Sequence, residues 1–137
     1  MSTEPKFLSS IQEEAKDAFN FELKDSDSSA LRFISLHERF CRHLTTAALK
    51  IRAAEKNVAK IRKERHDWYI REYDVRLDRK ELEAYVNSDE TLVAAEDNLA
   101  YWKASAKYIE GVLDGINRAS FNLGNAIKWA MFRAGAN

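Results

Sequence analysis

The sequence predicts an all-α chain, a short N-terminal helix followed by a long helical hairpin, and three observations predict it. Pro5 is the only proline and all four glycines lie at or beyond residue 111, so between Lys6 and Glu110 only polar clusters can interrupt a helix. Apolar residues recur at alternating three- and four-residue spacings over two long stretches, the period of a helix seam. At 137 residues there is room for one domain with a core, and a chain this helical leaves apolar surface for partner subunits.

Pro5 suits the first turn of a helix, and Ser10 with Glu13 has capping-box spacing that offers an alternative start. Phe7, Ile11, Ala15, Ala18 and Phe19 then share one face, giving a short amphipathic helix of acidic character. The cluster Asp25-Ser-Asp-Ser-Ser29 ends it by competing for backbone hydrogen bonds, and supplies an N-cap for the next helix.

That next helix is expected from about Ser29 to about Ile70, roughly 60 Å at 1.5 Å per residue. Its seam runs through Phe33, His37, Phe40, Leu44, Ala47, Ile51, Ala54, Val58, Ile61, Arg65 and Trp68. Arg52, Lys56, Lys60 and Lys63 fall away from the seam, whereas at Arg65 and Trp68 the seam itself runs into a charge and a large ring. Tyr73, Val75 and Leu77 alternate, which fits an extended segment or a short strand. Asp78 with Glu81 has capping-box spacing for a short helix through Val86, and Ser88-Asp89-Glu90 reads as the start of another.

From Leu92 the periodicity is strongest: Leu92, Ala95, Leu99, Trp102, Ala106, Ile109, Leu113, Ile116, Ser120, Leu123, Ile127 and Ala130. Part of this seam can fold back on the long helix. A second apolar set at Tyr101, Tyr108, Val112, Trp129 and Phe132 is left over and argues for self-association, with Leu99, Trp102, Ile109, Leu113, Ile116, Leu123 and Ile127 as the expected oligomerisation seam. Gly111, Gly115 and Ala119 repeat every four residues, a line that either permits close helix approach or weakens the helix near a bend. The expected organisation is one helical domain over 1–137, with a long basic helix over 28–71, a connector over 72–87 and the C-terminal helices over 88–133.

Net charge is zero but segregated. Residues 1–38 carry 4 basic and 8 acidic side chains, 39–80 carry 13 and 6, 81–114 carry 2 and 8, and 115–137 carry 3 and none. The basic block contains Lys60-Ile-Arg-Lys-Glu-Arg-His-Asp-Trp-Tyr69, where cations run directly into two large aromatics. Cations neutralise phosphates without reading sequence, and ring faces stack unpaired bases at about 1–3 kcal/mol each, so the pairing suits single-stranded nucleic acid. The plainer alternative is a solvated charged face ending in a packing plug. On the first reading the candidate DNA-binding residues are Arg52, Lys56, Lys60, Arg62, Lys63, Arg65, His66, Trp68 and Tyr69.

Enzymatic chemistry finds no footing. His37 and Cys41 stand one turn apart, but two ligands without a third nearby make core and rim residues rather than a metal site. His43 and His66 lack acid or nucleophile spacing, and there is no glycine-rich phosphate loop and no CxxC. The chain is therefore expected to be no enzyme and to need no cofactor. No apolar run approaches the ~18 residues of a membrane span, there is no signal-peptide core, and the single Cys41 fits a reducing compartment.

The run Lys63-Glu-Arg65-His-Asp67-Trp68-Tyr69, then Leu99-Ala-Tyr101-Trp102, Asn117-Arg118 and Ala126-Ile127-Lys128-Trp129-Ala-Met-Phe132, resembles the UvsY family of tailed-phage recombination mediators. The likeness covers about Lys56 to the C-terminus and is loose before that. By position, Lys63 and Arg65 match that family's basic pair implicated in single-strand binding. Trp68-Tyr69 match its aromatic pair, usually two tyrosines. Where family members often place glycine soon after that pair this chain has Ile70-Arg71, and a glycine common after the C-terminal arginine is Ala119 here. The resemblance implies an all-helical protomer assembled into a ring through its C-terminal part. It also implies a role in loading a RecA-like phage recombinase onto strands covered by single-strand-binding protein, in the cytoplasm of an infected bacterium. A helical scaffold without DNA binding is the alternative.

Overall fold

The computed structural model describes residues 4–19 and 26–135. They form four helices: α1 (Glu4–Phe19), α2 (Ser26–Arg71), α3 (Arg79–Asn87) and α4 (Glu90–Gly135). Among the described residues there is no strand, and none is long and apolar enough as a helix to cross a membrane. The chain divides into two compact units, Met1–Thr45 with Ser105–Asn137, and Thr46–Ala104.

In the first unit α1 lies antiparallel to the start of α2. Glu14 receives Arg39 at 2.7 Å and His43 at 3.1 Å, while Arg32 reaches the Asp17 carbonyl at 3.3 Å. Ile11, Ala15 and Ala18 are buried, as the amphipathic pattern requires, and so are Phe33, Leu36 and Phe40 on α2. The second half of α4 completes this core with Ile109, Val112, Ile116 and Leu123. Ser10 and Glu13 sit inside α1, so the helix starts at the proline end rather than at the alternative cap.

In the second unit the remainder of α2 runs antiparallel to the first half of α4. Contacts pair Arg65 with Asp89, Arg62 with Glu96 and Lys50 with Trp102, so numbers fall along one helix as they rise along the other. Ala47 and Ala54 are buried on α2, as are Leu92, Ala95 and Trp102 on α4. Buried alanines on α2 leave room for backbones to approach closely around buried Leu92 and Trp102 of α4. The long helical hairpin expected from the seams is present here.

Three local expectations change. The long helix starts at Ser26, so most of the polar cluster that was to cap it lies in its first turn, where Ser and Asp are well tolerated; Asp25 lies outside the described residues. The alternating residues Tyr73, Val75 and Leu77 form no strand, because no described strand exists to pair with them. Instead the Glu72 N–H closes the last turn on the Trp68 carbonyl at 2.8 Å, and an irregular segment follows to Asp78. Finally, the C-terminal helices are one helix of 46 residues that passes through Gly111 and Gly124 without a break. A Cβ placed at Gly111 or Gly124 would meet nothing within 4 Å, so no close approach inside the protomer calls for glycine at either position.

Candidate nucleic-acid interface

The end of α2, the connector, α3 and the first turns of α4 all belong to the second unit. At 100° per residue, Arg52, Lys56, Lys60 and Lys63 fall within about 80° of one another on α2. All four are exposed. Lys60 makes a loose i,i+4 pair with Glu64 at 4.0 Å, whereas Arg52, Lys56 and Lys63 have no ion pair among the described residues. Exposed His66 lies beside this stripe, 3.8 Å from Asp67.

The other predicted cations turn toward α3 and α4. Arg62 donates to the Asn87 side-chain oxygen at 2.9 Å and lies 3.6 Å from Glu96. Arg65 Nε donates to Asp89 Oδ2 at 2.8 Å, and the Tyr69 hydroxyl donates to the same oxygen at 2.9 Å. The second oxygen of Asp89 accepts the Thr91 and Leu92 N–H groups at 3.0 and 3.2 Å, capping α4. One carboxylate thus closes the hairpin and starts the next helix.

Burial disfavours the charge on Asp89, yet Arg65, Tyr69 and the Leu92 N–H together hold it below the usual carboxylate range. Its hydrogen bond in turn raises the pKa of Arg65. The Tyr69 hydroxyl is pushed up by burial and then by its bond to Asp89. An arginine at a seam position is thereby explained: it has a buried carboxylate opposite.

Around this clamp four rings touch. Trp68 meets Tyr69 at 5.0 Å and Tyr73 at 5.9 Å between centroids; Tyr85, from α3, meets the same two at 5.9 and 5.5 Å. Tyr69 and Tyr73 are 5.4 Å apart. The Arg65 guanidinium lies over Trp68 at 4.6 Å and over Tyr69 at 5.5 Å, distances at which a ring quadrupole attracts a cation. A capping box at Asp78 and Glu81 fixes the start of α3 and with it the position of Tyr85.

The nine sequence-predicted residues therefore separate into a displayed set, Arg52, Lys56, Lys60, Lys63 and His66, and an engaged set, Arg62, Arg65 and Tyr69. Trp68 belongs to both, being half exposed and in ring contact. Sequence reasoning missed the part of Asp89 as clamp, and missed Tyr73 and Tyr85 as members of the aromatic group. The available signal was Arg65 itself, since a cation on an apolar seam calls for a buried anion.

Of the expected oligomerisation seam, Trp102, Ile109, Ile116 and Leu123 are buried within the protomer, and Leu99, Leu113 and Ile127 are partly covered. From the leftover apolar set, Val112 is buried, Tyr101 and Tyr108 are half-buried, and Trp129 and Phe132 are exposed with Met131 and Phe121. His37 and Cys41 stand 3.7 Å apart, and no group of three or more possible metal ligands occurs among the described residues.

A protein-family model described as "Recombination, repair and ssDNA binding protein UvsY" matches residues 16–136. Among curated proteins none matches the sequence. The fold is shared with crystal structures of the recombination mediator protein UvsY of bacteriophage T4. The lattice type IV structure has a TM-score of 0.82 at 19% identity, covering 92% of this chain and 98% of that one. Type II gives 0.82 at 17%, covering 92% and 96%, and type I gives 0.81 at 18%, covering 90% and 98%. With a family match spanning nearly the whole chain and the same arrangement of helices, this protein belongs to the UvsY family.

Proposed function

We propose that the protein is a recombination mediator: it binds single-stranded DNA and promotes loading of a RecA-like recombinase onto strands covered by single-strand-binding protein, during phage recombination, replication and repair in the host cytoplasm. The observation that carries this reading is the exposed stripe of Arg52, Lys56, Lys60 and Lys63 leading to a half-exposed aromatic group, in a chain whose family is described as binding single-stranded DNA. The stripe supplies sequence-independent phosphate contacts, and the ring faces beside it suit unpaired bases.

Self-association is the second part of the proposal. Phe121, Trp129, Met131 and Phe132 are each at least 60% exposed, more apolar surface than a lone helix end keeps in water without a partner. A ring of protomers would repeat the basic stripe, so that one strand engages several weak sites and gains avidity while each contact stays easy to release. Part of the acidic block from Glu81 to Asp114 is occupied internally, Asp89 by Arg65 and Glu96 by Arg62. Its remaining carboxylates repel phosphate and can confine a strand to one track.

The test has two stages. Gel shifts with single- and double-stranded oligonucleotides at several salt concentrations should show preference for single strands. Recombinase ATPase on strands pre-coated with single-strand-binding protein should then rise on addition of this protein. A folded protein that binds no single strand would instead be a helical scaffold.

A further inference from the structure

Four aromatic rings gathered at the closed end of a helical hairpin are more than a hairpin needs. Trp68 and Tyr85 each touch both Tyr69 and Tyr73 but not each other, so the group has two outer members and two inner ones. The inner pair is partly buried, while Trp68 keeps 38% and Tyr85 41% of its surface open. A packing plug would bury its largest rings first; here the largest ring is among the most open.

The outer rings are also held in place from behind. Tyr69 is fixed through Asp89 at 2.9 Å, Arg65 lies against Trp68, and the Tyr73 ring packs on Tyr85 at 5.5 Å between centroids. Rings already immobilised lose little freedom when a ligand lies on them. Around the rings, exposed Arg71, Arg76 and Lys80 are interleaved with exposed Glu72, Asp74 and Asp78, so ring faces rather than local net charge would draw a ligand here.

We propose that Trp68, Tyr69, Tyr73 and Tyr85 form a two-position nucleobase-stacking site, in which Trp68 and Tyr85 each receive an unpaired base while Tyr69 and Tyr73 support them. This rests on the reading of the protein as a single-strand binder and adds to it a site for bases apart from the lysine stripe for phosphates. Duplex DNA is excluded because its bases are already stacked. The ligand class is an unpaired strand of either sugar, read by ring faces and without sequence preference.

The experiment compares the full chain's affinity for a single-stranded oligonucleotide with its affinity for an abasic strand of equal length and charge. The base-bearing strand should bind at least about thirtyfold tighter, two stacked bases at ~1 kcal/mol or more each. Tyr85→Ala should remove one of the two stacking contributions, lowering that preference about tenfold or less while leaving the salt dependence unchanged, and Tyr85→Phe should retain it. Lys56→Ala with Lys63→Ala should do the converse. Quenching of tryptophan emission by the base-bearing strand should be lost in Trp68→Phe, which separates it from Trp102 and Trp129. Equal affinity for the two strands, or a preference undiminished in Tyr85→Ala at native helicity, overturns the stacking site and leaves phosphate binding standing. Failure to bind either strand overturns both.

Discussion

Arg65 Nε lies 2.8 Å from Asp89 Oδ2, and together with the Tyr69 hydroxyl on the same oxygen this contact ties the last turns of α2 to the start of α4. Asp89 is 6% exposed. Removing Arg65 leaves a buried carboxylate without its mate, which is costlier than losing a surface pair.

Asp89→Asn retains a good helix cap but loses the charge, and should lower stability by roughly 2 kcal/mol; Asp89→Ala, which loses the cap as well, should cost about 1 kcal/mol more. Urea unfolding followed by circular dichroism measures both. Equal stability of Asp89→Asn and the wild type would reduce the clamp to an ordinary surface contact.

Because the native pKa of Asp89 is depressed, its stabilisation is complete above the ordinary carboxylate value of ~3.9 and is lost as pH falls through the lower native one. The stability gap between wild type and Asp89→Asn should therefore stay constant from about pH 7 to about pH 5 and narrow only below about pH 4. Closure of the gap near pH 6 would point to a histidine instead.

Lys56 and Lys63 are displayed, whereas Arg65 is engaged, so their substitutions should differ in kind. Lys56→Ala with Lys63→Ala should weaken single-strand binding and flatten the log–log salt slope by about 1.4, at ~0.7 per phosphate contact, with unfolding unchanged. Arg65→Ala should destabilise the hairpin, and any loss of binding should follow the loss of fold. An Arg65 variant of native stability with a flattened slope would place Arg65 on the phosphates directly.

Ile109 is fully buried and Phe132 is 67% exposed on the same helix, which gives a pair of opposed controls. Ile109→Ala should cost about 2–5 kcal/mol through transfer and cavity terms. Trp129→Ser with Phe132→Ser should leave helicity intact and lower the mass seen by light scattering. A wild type that is monomeric at micromolar concentration would end the case for self-association.

Much of the fold was legible because helix seams are written locally. Phe33, Phe40, Ala47 and Ala54 on α2, and Leu92, Trp102, Ile109 and Ile116 on α4, are buried at the positions their spacing assigns. The capping box at Asp78 was likewise local and is present. Less legible were relationships between residues far apart in sequence. Tyr85 sits on a nine-residue helix and joins Tyr69 only once the connector has folded, and nothing near Asp89 names Arg65 as its partner. Nor does periodicity tell which seam residues are used inside a protomer. It selected Trp102, Ile109, Ile116 and Leu123 for a partner, whereas the chain's own helices cover them.

The attachment of α1 has a consequence for how the molecule opens. An isolated helix of 16 residues is marginal in water, so α1 holds its shape chiefly because Ile11, Ala15 and Ala18 are covered and Glu14 meets Arg39 and His43. Undocking and melting of α1 are then one event, with a lower free energy than the opening of the rest. Its amides should exchange with solvent together, as a single cooperative group, and proteases acting under native conditions should cut there while α2 and α4 are still intact.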